Sequence, residues 1–263
     1  MDAPIENSSV PVIAMNGVNI GALAEPERMV LTNVNWTVMA GDFWVVAGMQ
    51  GSGKTDLLST TAGLAPPLGG SYQLFGCEMP IYEPQLLKEH LRLGLVFDNG
   101  QMLHQLNVHE NIALPLRYHR HLTWEEVEQR VKAALELTGL AAWSHARPSA
   151  LGRNLLKRAG LARALMLEPE VLLVDHPLSG LDLREAHWWL DLLQQLSAGH
   201  EFLRGRRLTL VVTAQDLRPW RKLDCHFAIL KKQCFIPLGR CPEFTAHAEP
   251  LVRELLAETR TPT

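Results

Sequence analysis

Gly48-Met49-Gln50-Gly51-Ser52-Gly53-Lys54-Thr55 fits the pattern G-x-x-x-x-G-K-[ST], the phosphate-binding P-loop. An apolar run, Phe43-Trp44-Val45-Val46-Ala47, precedes it and reads as a buried strand. A helical stretch opens after it at Asp56-Leu57-Leu58. This strand–loop–helix context is what the motif requires. Glycines let backbone N–H groups close around phosphates, and a helix N-terminus adds positive potential. Gly48, Gln50, Gly51, Ser52 and Gly53 are therefore the expected loop contacts. Lys54 is expected to reach the β- and γ-phosphates of a nucleotide, and the Thr55 hydroxyl to ligate Mg²⁺. A full motif in the right setting outweighs a chance glycine-rich turn.

Composition narrows the class. The chain has 263 residues, enough for one large α/β domain or two small ones, and its 47% hydrophobic share is ordinary for a packed core. A net charge of −3 gives no broad basic surface, so no nucleic acid partner is expected. Arg204-Gly205-Arg206-Arg207 reads as a solvated turn. Cys77, Cys225, Cys234 and Cys241 form no C-x-x-C pair and are expected to be reduced thiols. His104, His109, His119 and His121 lack regular ligand spacing and are expected on the surface. The first residues show neither a basic nor an apolar targeting region, and no apolar run approaches bilayer length.

Apolar strands alternate with helical patterns along the chain. Residues 1–11 are polar and expected to fray. Val12 to Met15 and Val30 to Val38 are β-rich, with an irregular segment from Gly21 to Arg28 between them. Leu93 to Phe97, Val171 to Val174 and Leu208 to Thr213 read as buried strands. Thr123 followed by Glu126 forms a capping box for a helix to Leu137. Further helices are predicted over Leu151 to Leu167, Arg184 to Leu196 and about Glu249 to Glu258. The alternation implies a mainly parallel sheet covered on both faces.

Asp175 ends an apolar strand, as a Mg²⁺-binding Walker B aspartate does, and Leu178-Ser179-Gly180-Leu181-Asp182 follows. From the P-loop, this strand, the Ser179-Gly180-Leu181-Asp182 D-loop and their order, the chain resembles the ATP-binding subunit of an ABC transporter from about Val12 to Arg240. The resemblance implies an α/β P-loop NTPase fold: a RecA-like core, an antiparallel β-subdomain and a helical subdomain over about 101–167. All would lie in one nucleotide-binding domain spanning 1–263. It also implies a head-to-tail dimer, homo- or heteromeric, in which one subunit's P-loop and the other's signature motif sandwich each ATP. Asp182 then joins the nucleotide contacts, and Thr55 and Asp175 hold the metal.

The chain departs from the family pattern at several of these positions. His176 stands where the family places its catalytic Glu. An imidazole can still accept a proton, because its ordinary pKa is near neutrality. The signature L-S-G-G-Q reads Leu151-Gly152-Arg153-Asn154-Leu155, so Gly152 lacks the hydroxyl and Arg153 and Asn154 replace two glycines. Arg153 could still pair with phosphate. Asp98 occupies the Q-loop position and Gln215 that of the switch histidine. Asp56 follows Thr55, where its carboxylate would face the α-phosphate unless it turns away. These changes imply slow hydrolysis.

Phe97 to Pro115 looks like the segment that, in importer-like and lipid-trafficking ABC subunits, borders the groove for a membrane permease. The nearest resemblance is to MCE-type (Mla-like) phospholipid transporters, while lipoprotein-release and amino-acid importers share parts of the pattern; either implies a cytoplasmic subunit peripheral on the inner face of the cell membrane. The competing reading is a nucleotide-responsive structural subunit that hardly turns over ATP. A soluble, non-transport ABC protein is a weaker third reading.

Overall fold

A computed structural model describes residues 10–79, 87–240, 250 and 252. The chain divides into two compact units, residues 1–82 with 211–263 and residues 83–210.

The first unit begins with β1 (Ile13–Gly21) and β2 (Met29–Val38), which pair antiparallel. In β2 Leu31, Val34, Trp36 and Val38 are buried while the intervening positions face outward, as an antiparallel strand with one wet face requires. β4 (Gly69–Leu74) and β5 (Cys77–Glu78) complete a sheet of order β2-β1-β4-β5. β3 (Phe43–Gly48) differs, because all six residues are buried. Such a strand must be covered on both faces, and β3 runs parallel to β9 (His226–Lys231) with Trp44 opposite His226 and Gly48 opposite Leu230. β10 (Cys234–Arg240) returns antiparallel on β9 through Lys232 and Gln233, both at positive φ, the backbone that a two-residue hairpin demands. α1 (Lys54–Thr61) follows β3, and buried Tyr72 of β4 donates its hydroxyl to Thr61 O at 2.5 Å. Burial holds the Tyr72 pKa well above the ordinary tyrosine value.

The second unit holds α2 (Leu87–His90), the parallel pair β6 (Leu93–Val96) and β7 (Val171–Val174), and four longer helices. These are α3 (Val108–His119), α4 (Trp124–Leu137), α5 (Arg153–Leu165) and α6 (Leu183–Ala198). Ile112 and Leu116, Val131 and Leu135, and Ala159 and Ala162 recur at helical spacing and form one apolar core across α3, α4 and α5. The fully buried strand β8 (Thr209–Ala214) carries the chain out of this unit and back into the first.

The structure corrects some boundaries. The predicted Leu151 to Leu167 helix begins only at Arg153, because Pro148–Ala150 forms a 3-10 turn and Gly152 is an extended N-cap with φ −68 and ψ 162. The Thr123–Glu126 capping box is present, and Asn107 with Glu110 makes a second one at α3. The helix expected near the C-terminus, like most of the N-terminal segment expected to fray, lies outside the described residues except at Pro250 and Val252, which are helical. His109 is half-buried, with Nε2 2.9 Å from Glu128 Oε2, while His104, His119 and His121 are exposed.

Candidate nucleotide site

β3 delivers the chain to a loop in which Gly48 and Gly53 have little room for a side chain. A Cβ on Gly48 would lie 2.4 Å from Ser52 Oγ, and one on Gly53 would lie 2.5 Å from Val30 Cγ1. Gly53 also sits at φ 94, a left-handed backbone that side chains disfavour. The Lys54 ammonium is buried inside the loop and donates to Gly48 O at 2.6 Å and Met49 O at 2.7 Å. No side chain caps the first turn of α1. A cation inside a glycine loop, above a helix start that no side chain caps, fits a triphosphate. Gln50, Gly51 and Thr55 are exposed and Ser52 half-buried along the same rim. A cavity of about 330 Å³ runs from Met49–Ser52 to Lys231 and Lys232, so the β9–β10 turn sets two more cations beside the loop. The sequence reading did not find these lysines, which lie far along the chain.

Asp56 has turned toward another partner: its Oδ1 accepts from Leu23 N at 2.8 Å. The carboxylate therefore fixes the irregular segment after β1, where Ala22 N also donates to Arg28 O at 2.9 Å.

In the second unit Asp175 ends β7, is buried, and donates its backbone N–H to Val96 O at 2.8 Å. His176 adopts φ 47, in the left-handed region that non-glycine residues seldom occupy. Its Nε2 lies 3.9 Å from Asp175 Oδ1. Ser179 N donates to His176 O at 3.2 Å, which closes the turn, and Asp182 caps α6 by accepting from Glu185 N at 2.8 Å.

The altered signature residues point three ways. Gly152 caps α5 without a side-chain bond, and a Cβ there would meet nothing within 4 Å. Arg153 pairs with Asp98. Asn154 is buried: its Nδ2 donates to Glu185 Oε1 at 2.7 Å and its Oδ1 accepts from Trp189 Nε1 at 3.0 Å. Asn154 thus ties α5 to α6.

Lys157 is a further residue that the sequence did not reveal. It is 1% exposed, and its ammonium lies 2.8 Å from Asp98 Oδ1, 2.7 Å from His176 O and 3.0 Å from Ser179 O. Its three strongest contacts match the three donors of an ammonium. Burial pushes its pKa down, and the Asp98 carboxylate opposes that shift. The Q-loop position, the signature helix and the turn after Asp175 are thereby joined at one charge. Gly100 seats the Q-loop turn on the same helix at φ 70; a Cβ on it would strike Leu156 O at 2.1 Å, and one on Gly160 would meet Gly100 Cα at 2.9 Å. Arg163 completes this seam by donating to Gly100 O at 2.9 Å and Gln101 O at 2.8 Å. Gln215 is exposed just after β8, and its neighbour Asp216 is held by Arg218 at 2.6 Å.

Within 97–115, Met102, Val108, Ile112 and Ala113 belong to the apolar core, whereas Leu103 and Leu114 are exposed. Asn111 organises the stretch by bonding Leu103 N and O, Leu106 O and Asn107 O.

Comparison with known proteins agrees with this geometry. A family model described as ABC transporter matches residues 31–179. The chain is 28% identical over 253 residues to MlaF, the intermembrane phospholipid transport system ATP-binding protein of Escherichia coli K12, covering 96% of this chain and 91% of that one. It is 29% identical over 208 residues to MetN, a methionine import ATP-binding protein of Lacticaseibacillus paracasei, covering 79% of this chain but only 57% of its relative. Among solved structures, the ATP-binding cassette MJ0796, a post-hydrolysis dimer bound to ADP and Pi, superposes with a TM-score of 0.74 at 25% identity, over 84% of this chain and 95% of that one. The cofactor pair that such membership carries is ATP with Mg²⁺. With a family model fitting more than half its length and a fold shared with a nucleotide-bound cassette, the chain belongs to the ABC transporter family as one of its ATP-binding domains.

Proposed function

We propose that this chain is the nucleotide-binding subunit of an ABC transporter, that it binds Mg-ATP in a head-to-tail pair of such domains, and that it turns ATP over slowly. The observation that carries the reading is the buried Lys54 ammonium inside the glycine loop, 2.6 and 2.7 Å from the Gly48 and Met49 carbonyls. Lys54 and the backbone N–H groups at the start of α1 hold and orient the triphosphate. By the family pattern Thr55 and Asp175 would be the residues to hold Mg²⁺, which would neutralise phosphate charge. His176 takes the proton of the attacking water at an imidazole nitrogen. A histidine at φ 47 has a different reach from the family's glutamate, and loss of a well-placed general base typically costs about 10²–10⁴ in rate. Asp182 and Arg153 of one subunit complete the nucleotide site of the other; Asp98 and Gln215 occupy the remaining family positions around it.

The permease docks against the segment 97–115, where Leu103 and Leu114 are exposed. Likeness to MlaF supports a lipid as the cargo. Among the described residues no helix is long and apolar enough to cross a membrane; likeness to MlaF supports a peripheral subunit on the cytoplasmic face. The structural-subunit reading is favoured by one observation: Arg153 and Asn154 are already engaged within the chain.

The test is Mg-ATP binding and steady-state hydrolysis by the wild type, Asp175→Asn and His176→Glu. Saturable binding is expected, with turnover low in the wild type, lost in Asp175→Asn and raised in His176→Glu. Absence of saturable ATP binding would overturn the reading, and wild-type turnover at ordinary transporter rates would remove its slow-hydrolysis part. Co-purification with a membrane permease alone supports the energy-coupling role; recovery with a second, intact ATPase subunit supports the structural one.

A further inference from the structure

The replacements at the Q-loop and the signature are coupled. Asp98 stands where the family has Gln, Arg153 where it has Gly, and the two side chains form an ion pair within one chain. Asp98 is shared between two cations of unlike standing. Lys157 is 1% exposed and fixed by two further carbonyls, whereas the Arg153 side chain is 53% exposed and, among the described residues, held by the carboxylate. Asp98 can therefore release Arg153 and still keep a buried counter-charge. Arg153 lies in the first turn of α5, and its Nη1 would be 3.6 Å from a Cβ on Gly180, which places the guanidinium beside the D-loop.

The other signature residues offer less to a phosphate. Gly152 has no side chain and Asn154 is buried against Trp189 and Glu185. A guanidinium presents paired donors that match phosphate oxygens, while an exposed ion pair with a carboxylate is weak. A triphosphate is thus a stronger acceptor for Arg153 than Asp98 is. Resting on the function proposed above, we propose that Arg153 is the group through which this chain touches a triphosphate held by a second copy of itself, and that Asp98 retains Arg153 until that triphosphate arrives. The ion pair is a latch on nucleotide-dependent pairing. The two departures from the family pattern then act together.

The experiment compares the wild type, Asp98→Asn, Arg153→Ala and the double variant, each with Mg²⁺ and a non-hydrolysable ATP analogue. Analogue affinity is measured at dilutions where the chain is monomeric, and self-association by sedimentation equilibrium. Monomer affinity for the analogue is measured in each of the four so that association is compared at equal saturation, and urea midpoints check that the variants, which also alter the Lys157 environment, are folded. Asp98→Asn is expected to tighten analogue-dependent association about fivefold, the worth of one exposed ion pair. Arg153→Ala is expected to weaken association, and Asp98→Asn to have no effect in the Arg153→Ala background. A failure of the wild-type monomer to bind the analogue would overturn the nucleotide reading and this proposal with it. Normal binding would leave that reading intact while any of three results overturned the latch: no analogue-dependent association, association unchanged by Arg153→Ala, or tightening by Asp98→Asn that persists without Arg153.

Discussion

Asn154, at a position where the family carries a signature glycine, accepts a hydrogen bond from the indole N–H of fully buried Trp189 at 3.0 Å. Restoring the family residue would therefore damage the fold. Asn154→Gly leaves the Trp189 donor and Glu185 without their partner, which costs about 2 kcal/mol. For a chain of this size that corresponds to a fall in melting temperature of about 4–8 °C. Calorimetry checks it, and an unchanged midpoint would show that the bond contributes nothing.

Lys157→Met removes the ammonium that neutralises Asp98 and satisfies the His176 and Ser179 carbonyls. Breaking such a buried pair from one side costs about 3–5 kcal/mol. The double variant Lys157→Met with Asp98→Asn is expected to recover part of that loss, since the carboxylate that has lost its buried counter-charge is gone. Urea denaturation of the three variants against wild type measures both effects.

Asp56→Ala frees the Leu23 amide, which Asp56 Oδ1 now binds at 2.8 Å. Protection of that amide against hydrogen exchange is expected to fall about fivefold, the equivalent of one net hydrogen bond. If Leu23 exchange were unaltered, the carboxylate would not be what orders this segment.

Tyr72 gives a pH-dependent prediction. Burial raises its pKa, so the folded state keeps the phenol proton at a pH where the unfolded chain releases it. The folded state then binds more protons than the unfolded one, and stability falls as pH climbs past the ordinary tyrosine value of about 10. Tyr72→Phe lacks this loss. At pH 8 it is expected to be less stable than wild type by about 1 kcal/mol, because Thr61 O loses its donor. The gap should narrow or reverse by pH 10.5, as read from urea midpoints at the two values.

What the sequence revealed was the chemistry that is local in the chain. The P-loop, the strand ending at Asp175 and the Thr123–Glu126 cap each lie within a few residues, so spacing alone exposes them. Asn107-Val108-His109-Glu110 carries the same capping signal and could have been read in the same way. The bonds that were not legible join distant positions. Asp56 reaches back 33 residues to Leu23, and Asn154 reaches 35 forward to Trp189. Lys157 carries no local signal, because nothing nearby in sequence shows that its side is buried. The start of α5 was misplaced because the apolar repeat runs on through Leu151, although the backbone there is already extended.

Gly100 and Gly160 bring the turn after Asp98 against α5 with main chain on main chain. No rotamer lies between them to yield, and Arg163 rivets the two together. A push delivered at that turn cannot be absorbed by side-chain rearrangement. It would pass instead into α5 as main-chain displacement, with little slack at the crossing.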